Sequence, residues 1–479
     1  MKKYIYFIIA VLGGLSVLTS CDKDFLTEAP VLSQSPAVTL SNMSNVNLAV
    51  AGAYAPLVSS SWYGEDFILS NEMRTMNGKR WIGSSHDSGR YKDDYLVNFT
   101  PTVTSGVWAY AYYVILSANQ VLGAIDGITG DEQTKKNYKA ECLFLRALSH
   151  FDLVRTFAMP YNYTSDASHL GVPVVTTVQA MTEKPARNTV AEVYSQILTD
   201  LKDAETMIDP SYVRSGTTDT KATVNIYVIE ALLSRVYLYM GNWQACADYA
   251  TKVIDSGKYT MWSKKDVQDA ACFRLDVPKG GEIIFETYGA KANEYDGYHD
   301  SLWSLSSPKG EYGDCGASAD LLNLYAEGDV RSSWLSPDNK GNCLFTMKYA
   351  GKGIGSPDQN NTVVLRLSEM YLNRAEAVVN GAKGASAVAD LKVIASNRGA
   401  EAETANLTGV YSERAKELCW EGHLWFDLAR TKRDMTRTDV ATSAIPTSIP
   451  AGDHKWAMPI PEREIIVNSS LVQNDGYSK

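Results

Sequence analysis

Pairs of amphipathic helical segments joined by short turns recur along this chain, and they limit it to a mainly helical fold. In the clearest pair, apolar side chains recur every three or four positions on both sides of Gly241-Asn242, as they do on the buried face of a helix. Glycine readily adopts the left-handed conformation that ends many helices. This segment therefore predicts a helical hairpin. Its apolar positions are Ile226, Ile229, Leu233, Val236 and Met240 before the turn, and Trp243, Cys246, Ala247, Ala250, Val253 and Ile254 after it.

Other segments extend the helical pattern over most of the chain. A second hairpin is predicted around Gly381, and the capping box of Thr189 and Glu192 predicts the start of another helix. The spacing of aromatic and small residues in the first hairpin resembles that of a tetratricopeptide repeat. About four helix pairs are present, spaced too unevenly for a regular solenoid. The predicted fold class is therefore all-α, a tetratricopeptide-like helical-hairpin scaffold with long irregular loop insertions. The other apolar faces lie at 46–57, 108–122, 144–154, 190–208, 367–378 and 388–395.

Two aromatic stretches interrupt the helical pattern, at residues 59–104 and 259–355. Both are rich in glycine and polar residues, and loops of this length in a compact protein are usually functional. Within them, only Ile283-Ile284-Phe285 is predicted as a short strand, and the rest is predicted to be irregular. Tyrosine and tryptophan are favoured where one face of a side chain is apolar and the other is wet. We therefore expect these two insertions to carry the binding residues.

The first forty residues predict export and a lipid anchor. Two lysines precede an apolar run at 4–18, and Leu18-Thr19-Ser20-Cys21 then forms a lipobox. The run is shorter than the ~20 residues of a membrane-spanning helix. Cys21 is interpreted as the lipidated first residue of the mature chain. The predicted units are a lipoprotein signal peptide at 1–20, the lipidated N-terminus and tether at 21–40, and a single domain at 41–479.

Composition and motif searches argue against several classes of function. The chain has 45 Lys and Arg against 55 Asp and Glu, a formal charge of −10, and no basic stripe that would favour nucleic acid as a partner. No common hydrolase or phosphate-binding motif is present, and no cofactor is expected. The cysteines after Cys21 form no C-x-x-C pair and lie at no ligand spacing from a histidine, so no metal site is expected. The sequence leaves open a disulfide between Cys315 and Cys343.

The C-terminal quarter contains the most specific motifs. The first motif comprises Glu413-Arg414, Glu417-Leu418, Glu421-Gly422-His423, Trp425-Phe426-Asp427-Leu428 and Arg430, and the second comprises Met458-Pro459-Ile460-Pro461, Glu464-Ile465, Asn468, Leu471, Gln473-Asn474 and Gly476-Tyr477. Together with the lipobox and the segment from Leu145 to Arg155, these motifs closely resemble the SusD/RagB family of surface lipoproteins.

The resemblance implies a function as well as a helical scaffold. Members of this family bind nutrients, mostly glycans, beside a TonB-dependent outer-membrane transporter of the SusC type. The resemblance implies that this chain captures oligosaccharides or polysaccharides at the cell surface, is attached to the outer membrane by its lipid alone, has no enzyme activity and delivers its ligand to such a transporter. The alternatives are a peptide-binding member of the family, a surface glycoside hydrolase and a plain interaction scaffold.

Candidate ligand-binding residues come from the two insertions. The apolar face of a sugar ring packs on aromatic rings, and its hydroxyls need polar partners. Three tryptophans, at 108, 243 and 425, instead fit apolar helical stripes and are predicted to lie in the core. The candidates are Trp81, Tyr91, Arg80 and Asn71 from the first insertion, and Tyr295, Asp296, Tyr298, Trp303 and Tyr312 from the second.

Three glutamates in the C-terminal motif allow two interpretations. Glu413, Glu417 and Glu421 recur every four residues, a spacing that places side chains on one face of a helix. They could supply a general acid and base, or they could be structural partners of Arg146, Arg430 or a helix end. The structural interpretation is favoured. A metal site that includes His423 is disfavoured, because its spacing from the glutamates does not bring the side chains to one helix face.

Overall fold

The computed structural model describes residues 40–102, 106–216, 220–273, 281–288, 301–309, 312–338, 340–349 and 360–478. The helices in these ranges are α1 (Met43–Tyr54), α2 (Asp66–Met73), α3 (Lys92–Leu96), α4 (Val107–Ala124), α5 (Glu132–Phe157), α6 (Val190–Met207), α7 (Ile226–Met240), α8 (Trp243–Asp255), α9 (Lys264–Val267), α10 (Leu302–Ser306), α11 (Ala319–Leu322), α12 (Leu367–Val379), α13 (Ala387–Arg398), α14 (Leu407–Glu417), α15 (Leu424–Arg430) and α16 (Glu462–Val467). The strands are β1 (Gly78–Lys79), β2 (Ile283–Glu286), β3 (Gly316–Ala317), β4 (Leu335–Pro337), β5 (Leu344–Thr346), β6 (Val363–Arg366), β7 (Met435–Thr436) and β8 (Ser448–Ile449).

The long helices form a scaffold in which neighbours along the chain pack together. Helix α5 packs between α4 and α6, α6 packs on α7, and α8 packs between α7 and α12, which in turn contacts α13. Every residue of α5 from Ala140 to Phe157 is buried, as expected of a helix at the centre of a helical core. The regular secondary structure of the described residues consists mainly of helices with a few short strands, which confirms the all-α fold class.

The predicted hairpins are confirmed. Gly241 ends α7 with a φ of 70°, a conformation that glycine adopts without a steric penalty. The side chain of Asn242 then accepts the backbone N–H of Ala245 and caps α8. The second hairpin consists of α12 and α13, on either side of Gly381. The capping box of Thr189 and Glu192 is present at the start of α6.

The insertions are more regular than predicted. The expected strand at 283–285 is confirmed as β2, which pairs antiparallel with β6. The prediction that the rest is irregular is wrong, because the first insertion contains α2, β1 and α3, and the second contains further short helices and strands. One strand of the first insertion and three of the second form a four-stranded sheet in the order β1-β3-β5-β4. This sheet joins the two insertions to each other.

The C-terminal motif is broken in the middle. Helix α14 ends at Glu417, and α15 begins only at Leu424. Trp420 and Gly422, between the helices, have φ values of 58° and 75°, which interrupt a right-handed helix. The prediction that Glu421 shares a helix face with the two preceding glutamates is therefore wrong.

The three glutamates belong to a buried ion-pair network. Arg398 bridges Glu417 and Glu282 at 2.7 and 2.6 Å, and Arg331 of the second insertion lies 2.9 Å from Glu417. The structural interpretation of the glutamates therefore agrees with the structure, but the predicted partners are wrong. Arg146 pairs with Asp200, and Arg430 pairs with Glu376 and Asp427. The network includes Glu282, Asp329, Arg331, Lys348, Arg366, Arg398, Glu413, Lys416, Glu417 and Glu421.

The cysteines in the described ranges are free and buried, including Cys315 and Cys343. The disulfide that the sequence left open is therefore not present. Its absence follows from strand register, because Ala317 of β3 faces Leu344 of β5. If the antiparallel pairing continues, Cys315 faces Thr346. Cys343 lies three positions from Thr346, about 10 Å along the strand. A disulfide requires Cα atoms within about 7 Å.

The predicted core tryptophans are mostly buried, with Trp108 and Trp425 at 5% and 2% exposure. Trp243 is half-buried and packs against the main core cluster.

No helix in the described ranges is both long and apolar enough to cross a membrane.

Candidate ligand-binding site

The sheet of β1, β3, β5 and β4 brings the two aromatic insertions together. Gly78 pairs with Ala317 and Lys79 with Gly316, so the short strand of the first insertion is hydrogen-bonded to the second. The chain of the first insertion continues from β1 into the segment 80–91, which contains three of the four candidate residues proposed for that insertion. Sheet pairing thus places residues that are more than 200 positions apart in one region.

Trp81 is held against the second insertion. Its Nε1 lies 3.3 Å from the carbonyl oxygen of Leu344, and its ring packs directly on Gly316. A Cβ atom at Gly316 would come within 1.9 Å of Nε1, so only glycine leaves room for the indole. The Nζ of Lys79 lies 4.4 Å from the ring centroid, a favourable cation–π distance. The indole remains partly exposed.

Tyr312 forms a second aromatic position beside the segment 80–91. The guanidinium carbon of Arg90 lies 3.9 Å from the centroid of the Tyr312 ring. His86 Nδ1 lies 3.2 Å from the Tyr312 carbonyl oxygen, and the His86 ring packs edge-on against Phe345 at 5.0 Å. Gly313 permits this contact, since a Cβ there would lie 2.5 Å from His86 Nδ1.

Asp314 anchors the loop of the first insertion. Its carboxylate accepts the backbone N–H groups of Ser88 and Gly89 at 2.8 and 3.0 Å, and the Ser88 hydroxyl at 2.9 Å. Asp314 is completely buried. Hydrogen bonds to a carboxylate are among the stronger ones in proteins. The loop that carries Arg90 and Tyr91 is therefore fixed by a residue of the other insertion.

Trp303 and Tyr91 are both partly exposed. Trp303 lies on α10, whose Ser304 carbonyl oxygen accepts the N–H groups of Tyr312 and Gly313. The Tyr91 hydroxyl donates to Glu65 Oε1 at 2.8 Å. Burial and the nearby Glu65 carboxylate raise the pKa of Tyr91 well above its usual value, so the phenol stays protonated and able to donate.

The polar candidates of the first insertion serve the fold. Asn71 is 3% exposed, donates to the Phe67 carbonyl oxygen and accepts a hydrogen bond from Arg74. Arg80 is 6% exposed and forms an ion pair with Asp87. Because these groups are buried and already bonded, neither belongs to the exposed surface near Trp81. Three candidates of the second insertion lie outside the described residues: Tyr295, Asp296 and Tyr298.

Sequence reasoning missed His86, Arg90 and Asp314. His86 and Arg90 lie in a run of glycine, serine and charged residues between Trp81 and Tyr91, and this pattern could have marked them as polar neighbours of the aromatic residues. Nothing local in the sequence identifies Asp314, whose partners are more than 220 residues away. The described residues contain no group of three or more histidine, cysteine or acidic side chains that could hold a metal ion. The arrangement offers partly exposed rings beside a cation and hydrogen-bonding groups, which suits a polar ligand with apolar faces.

Comparison with known proteins agrees with this architecture. Residues 24–238 match the model of a family described as starch-binding and associating with the outer membrane. Residues 344–477 match the model of the SusD family. The chain belongs to the SusD/RagB family. The matched ranges of this SusD-family chain include most of the scaffold helices and the C-terminal motif, and the segment between them carries α8 and most of the second insertion.

Individual relatives match this SusD-family chain along most of its length. SusD-like protein P2 of Formosa agariphila is 25% identical, over an alignment that covers 100% of both chains. A Bacteroides vulgatus protein described as sugar-binding is 28% identical, with a TM-score of 0.82 over 92% of this chain and 100% of the other. A SusD superfamily protein of Bacteroides thetaiotaomicron is also 28% identical, with a TM-score of 0.81 over 90% and 99% of the two chains.

Proposed function

We propose that this SusD-family protein is a cell-surface glycan-binding lipoprotein that captures oligosaccharides or polysaccharides and delivers them to a TonB-dependent outer-membrane transporter. The observation that carries the proposal is the partly exposed Trp81, which packs on Gly316 and belongs to the same segment, 80–91, that places Arg90 on the Tyr312 ring. An indole fixed in this way can stack on the apolar face of a sugar ring without a further loss of side-chain freedom.

The proposed ligand contacts are Trp81, Tyr91, Trp303 and Tyr312, with Arg90 and His86 as polar neighbours. Rings add about 0.5–1.5 kcal/mol each beyond their buried area, so several must act together to reach micromolar to millimolar affinity. The proposal also retains Tyr295, Asp296 and Tyr298 as further contacts from the second insertion.

Cys21 is the proposed point of attachment to the outer leaflet of the outer membrane. Lipid chains on this cysteine would tether the domain beside its transporter and raise the effective concentration of the pair, so that a modest interface suffices. The proposed activity is binding without catalysis. Purified protein should therefore release no reducing sugar from any glycan that it binds.

The test is a glycan-array screen followed by calorimetry with the best glycan. Trp81→Ala and Tyr312→Ala should each weaken binding about three- to tenfold, whereas Tyr113→Ala should not. Tyr113 is the matched control because it is 57% exposed on α4 of the scaffold. If Trp81→Ala and Tyr312→Ala both bind the glycan with wild-type affinity, the assignment of the binding site is wrong. Selective binding of peptides instead of glycans would refute the ligand class.

The attachment and the partner have their own tests. Cys21→Ala should move the protein from the membrane to the soluble fraction, and protease added to whole cells should digest the wild-type protein. Affinity purification from detergent-solubilised membranes should recover a β-barrel transporter. Recovery of the protein without any barrel would contradict the proposed partner.

A further inference from the structure

A cleft lies between the segment that follows α5 and the C-terminal segment. It consists of two adjoining cavities of about 190 and 210 Å³. Both are lined by Met159, Tyr163 and Gly452. Together they reach the lower end of the range for small-molecule sites, which begins at about 300 Å³. No residue of the two aromatic insertions lines either cavity, so the cleft is separate from the site near Trp81.

Aromatic side chains line the cleft on both of its walls. Tyr163 is 48% exposed, and its ring meets His169 edge-on at 5.2 Å. On the other wall, the His454 ring packs against Tyr477 at 5.1 Å. Gly476 has a φ of 85°, and a Cβ there would lie 2.5 Å from the His454 ring. The C-terminal segment thus leaves room for this imidazole at the cleft.

The polar groups of the cleft include both donors and acceptors. Asn474 donates to the carbonyl oxygens of Phe157 and Met458 at 2.9 and 2.7 Å, and no described residue donates to its Oδ1. The Nδ1 atom of His454 lies 3.1 Å from Asp453 Oδ1, so Nε2 remains available to a ligand. Asp475 adds an exposed carboxylate to the lining.

Arg187 supplies a buried positive charge to the same lining. It is 8% exposed and donates to the carbonyl oxygens of Gly171, Leu170 and Val472 at 2.6, 3.0 and 2.9 Å. It forms no salt bridge with any described carboxylate, and burial lowers its pKa to about 10. This cation and the Asp475 carboxylate line the same cavity and offset each other. Lys432 lines the adjoining cavity but is exposed to solvent, which screens its charge, so the cleft has no strong preference for a charged ligand.

We infer that this cleft is a second saccharide site, which binds one neutral sugar unit between Tyr163 and His454. The inference rests on the proposed function, since it assigns a further subsite to a glycan-binding protein. A neutral sugar ring has an apolar face for Tyr163, and its hydroxyls both donate and accept hydrogen bonds. Asn474 Oδ1, His454 Nε2 and Asp475 would accept from these hydroxyls, and Arg187 would donate to them. The cleft would hold one unit of a chain whose longer part is bound elsewhere.

The test uses calorimetry on the full-length protein with glucose, galactose, mannose and galacturonate as probes. At least one neutral sugar should bind with millimolar affinity. Tyr163→Ala should weaken that binding about three- to tenfold because it removes the stacking ring. Tyr163→Phe retains the ring and should bind within about twofold of wild type. Tyr163 is largely exposed, so these variants are expected to fold, and circular dichroism checks this.

Two controls separate this inference from the proposed function. Trp81→Ala should keep wild-type affinity for the neutral sugar while it loses affinity for the glycan found in the array screen. Tyr113→Ala should change neither. Failure of every neutral sugar to bind at about 50 mM, wild-type affinity in Tyr163→Ala, or binding of galacturonate alone would overturn the inference. Each of those results leaves the glycan site at Trp81 standing, since that site is measured with its own ligand and variant.

Discussion

Arg398 Nη2 and Glu417 Oε1 lie 2.7 Å apart, and neither side chain is accessible to solvent. Glu417 also accepts from Arg366 and Arg331 at 2.7 and 2.9 Å. One carboxylate at the end of α14 therefore links α13, β6 and the second insertion. Buried charges of this kind are costly to leave unpaired, so this network fastens the insertion to the scaffold.

Glu417→Gln should destabilise the protein strongly. The amide keeps the shape of the side chain but leaves three buried guanidinium groups without their shared counterion. Removing one partner of a buried ion pair costs about 3–5 kcal/mol, and urea denaturation measures the change. Glu464→Gln is the control, because its partner Arg463 is 74% exposed. That substitution should change the free energy of unfolding by less than about 1 kcal/mol. If Glu417→Gln lowers the free energy of unfolding by as little as the control does, the role assigned to the network is wrong.

The stability that Glu417 contributes should depend on pH. Burial alone would raise the pKa of Glu417, but Arg398, Arg366 and Arg331 outweigh it and hold the pKa well below 4.5. A carboxylate with a lowered folded-state pKa stabilises the protein above its unfolded-state pKa, and this contribution is lost as the pH falls below about 4.5. The difference in unfolding free energy between wild type and Glu417→Gln should therefore shrink from pH 7 to pH 3.5. A difference that stays constant over this range would rule out this explanation.

Gly316→Ala should disturb the candidate ligand site through packing. The new methyl group would collide with Trp81 Nε1, so the indole must move or the sheet must open, at a cost of about 1–3 kcal/mol. Glycan affinity should fall because the indole is displaced, and tryptophan fluorescence should shift for the same reason. Gly123→Ala is the control, since Gly123 lies on the exposed side of α4 with nothing within 4 Å of the added methyl group. That variant should be neutral or slightly more stable.

The cysteines should behave as inert thiols in the native state. Cys142, Cys246 and Cys315 are fully buried, and burial raises the pKa of each thiol, which suppresses the reactive thiolate. Iodoacetamide should label them slowly in the folded protein and quickly in guanidinium. Mass spectrometry without reductant should then find Cys315 and Cys343 alkylated separately. A peptide pair crosslinked through these two residues would contradict the strand register.

The predictions that succeeded depend on local signals. The hairpin of α7 and α8 follows from apolar periodicity and from Gly241, and the start of α6 follows from Thr189 and Glu192. Each of these signals acts within one or two helical turns. They can be recognised in a sequence because the residues that form the structure are neighbours in the chain.

The predictions that failed concern contacts between distant residues. Strand β1 has two residues and no recognisable alternation, and it forms only because β3, more than 230 positions later, supplies its hydrogen-bond partners. The break after α14 depends on Gly422, whose N–H donates to Glu72 of the first insertion. The sequence predicts Asn71 as a ligand contact in an irregular loop, whereas the structure places it on the buried helix α2.

The sequence by itself determined the helical scaffold and its hairpins, and its motifs already indicated the family. Periodicity, caps and turns require only short-range interactions, which the order of residues specifies directly. Only the tertiary structure decided which aromatic residues lie together, which charges pair with Glu417 and which groups form the cleft at Tyr163. Those arrangements depend on the pairing of strands and the burial of charges across hundreds of residues, and the free energy that selects them exists only once the chain has folded around them.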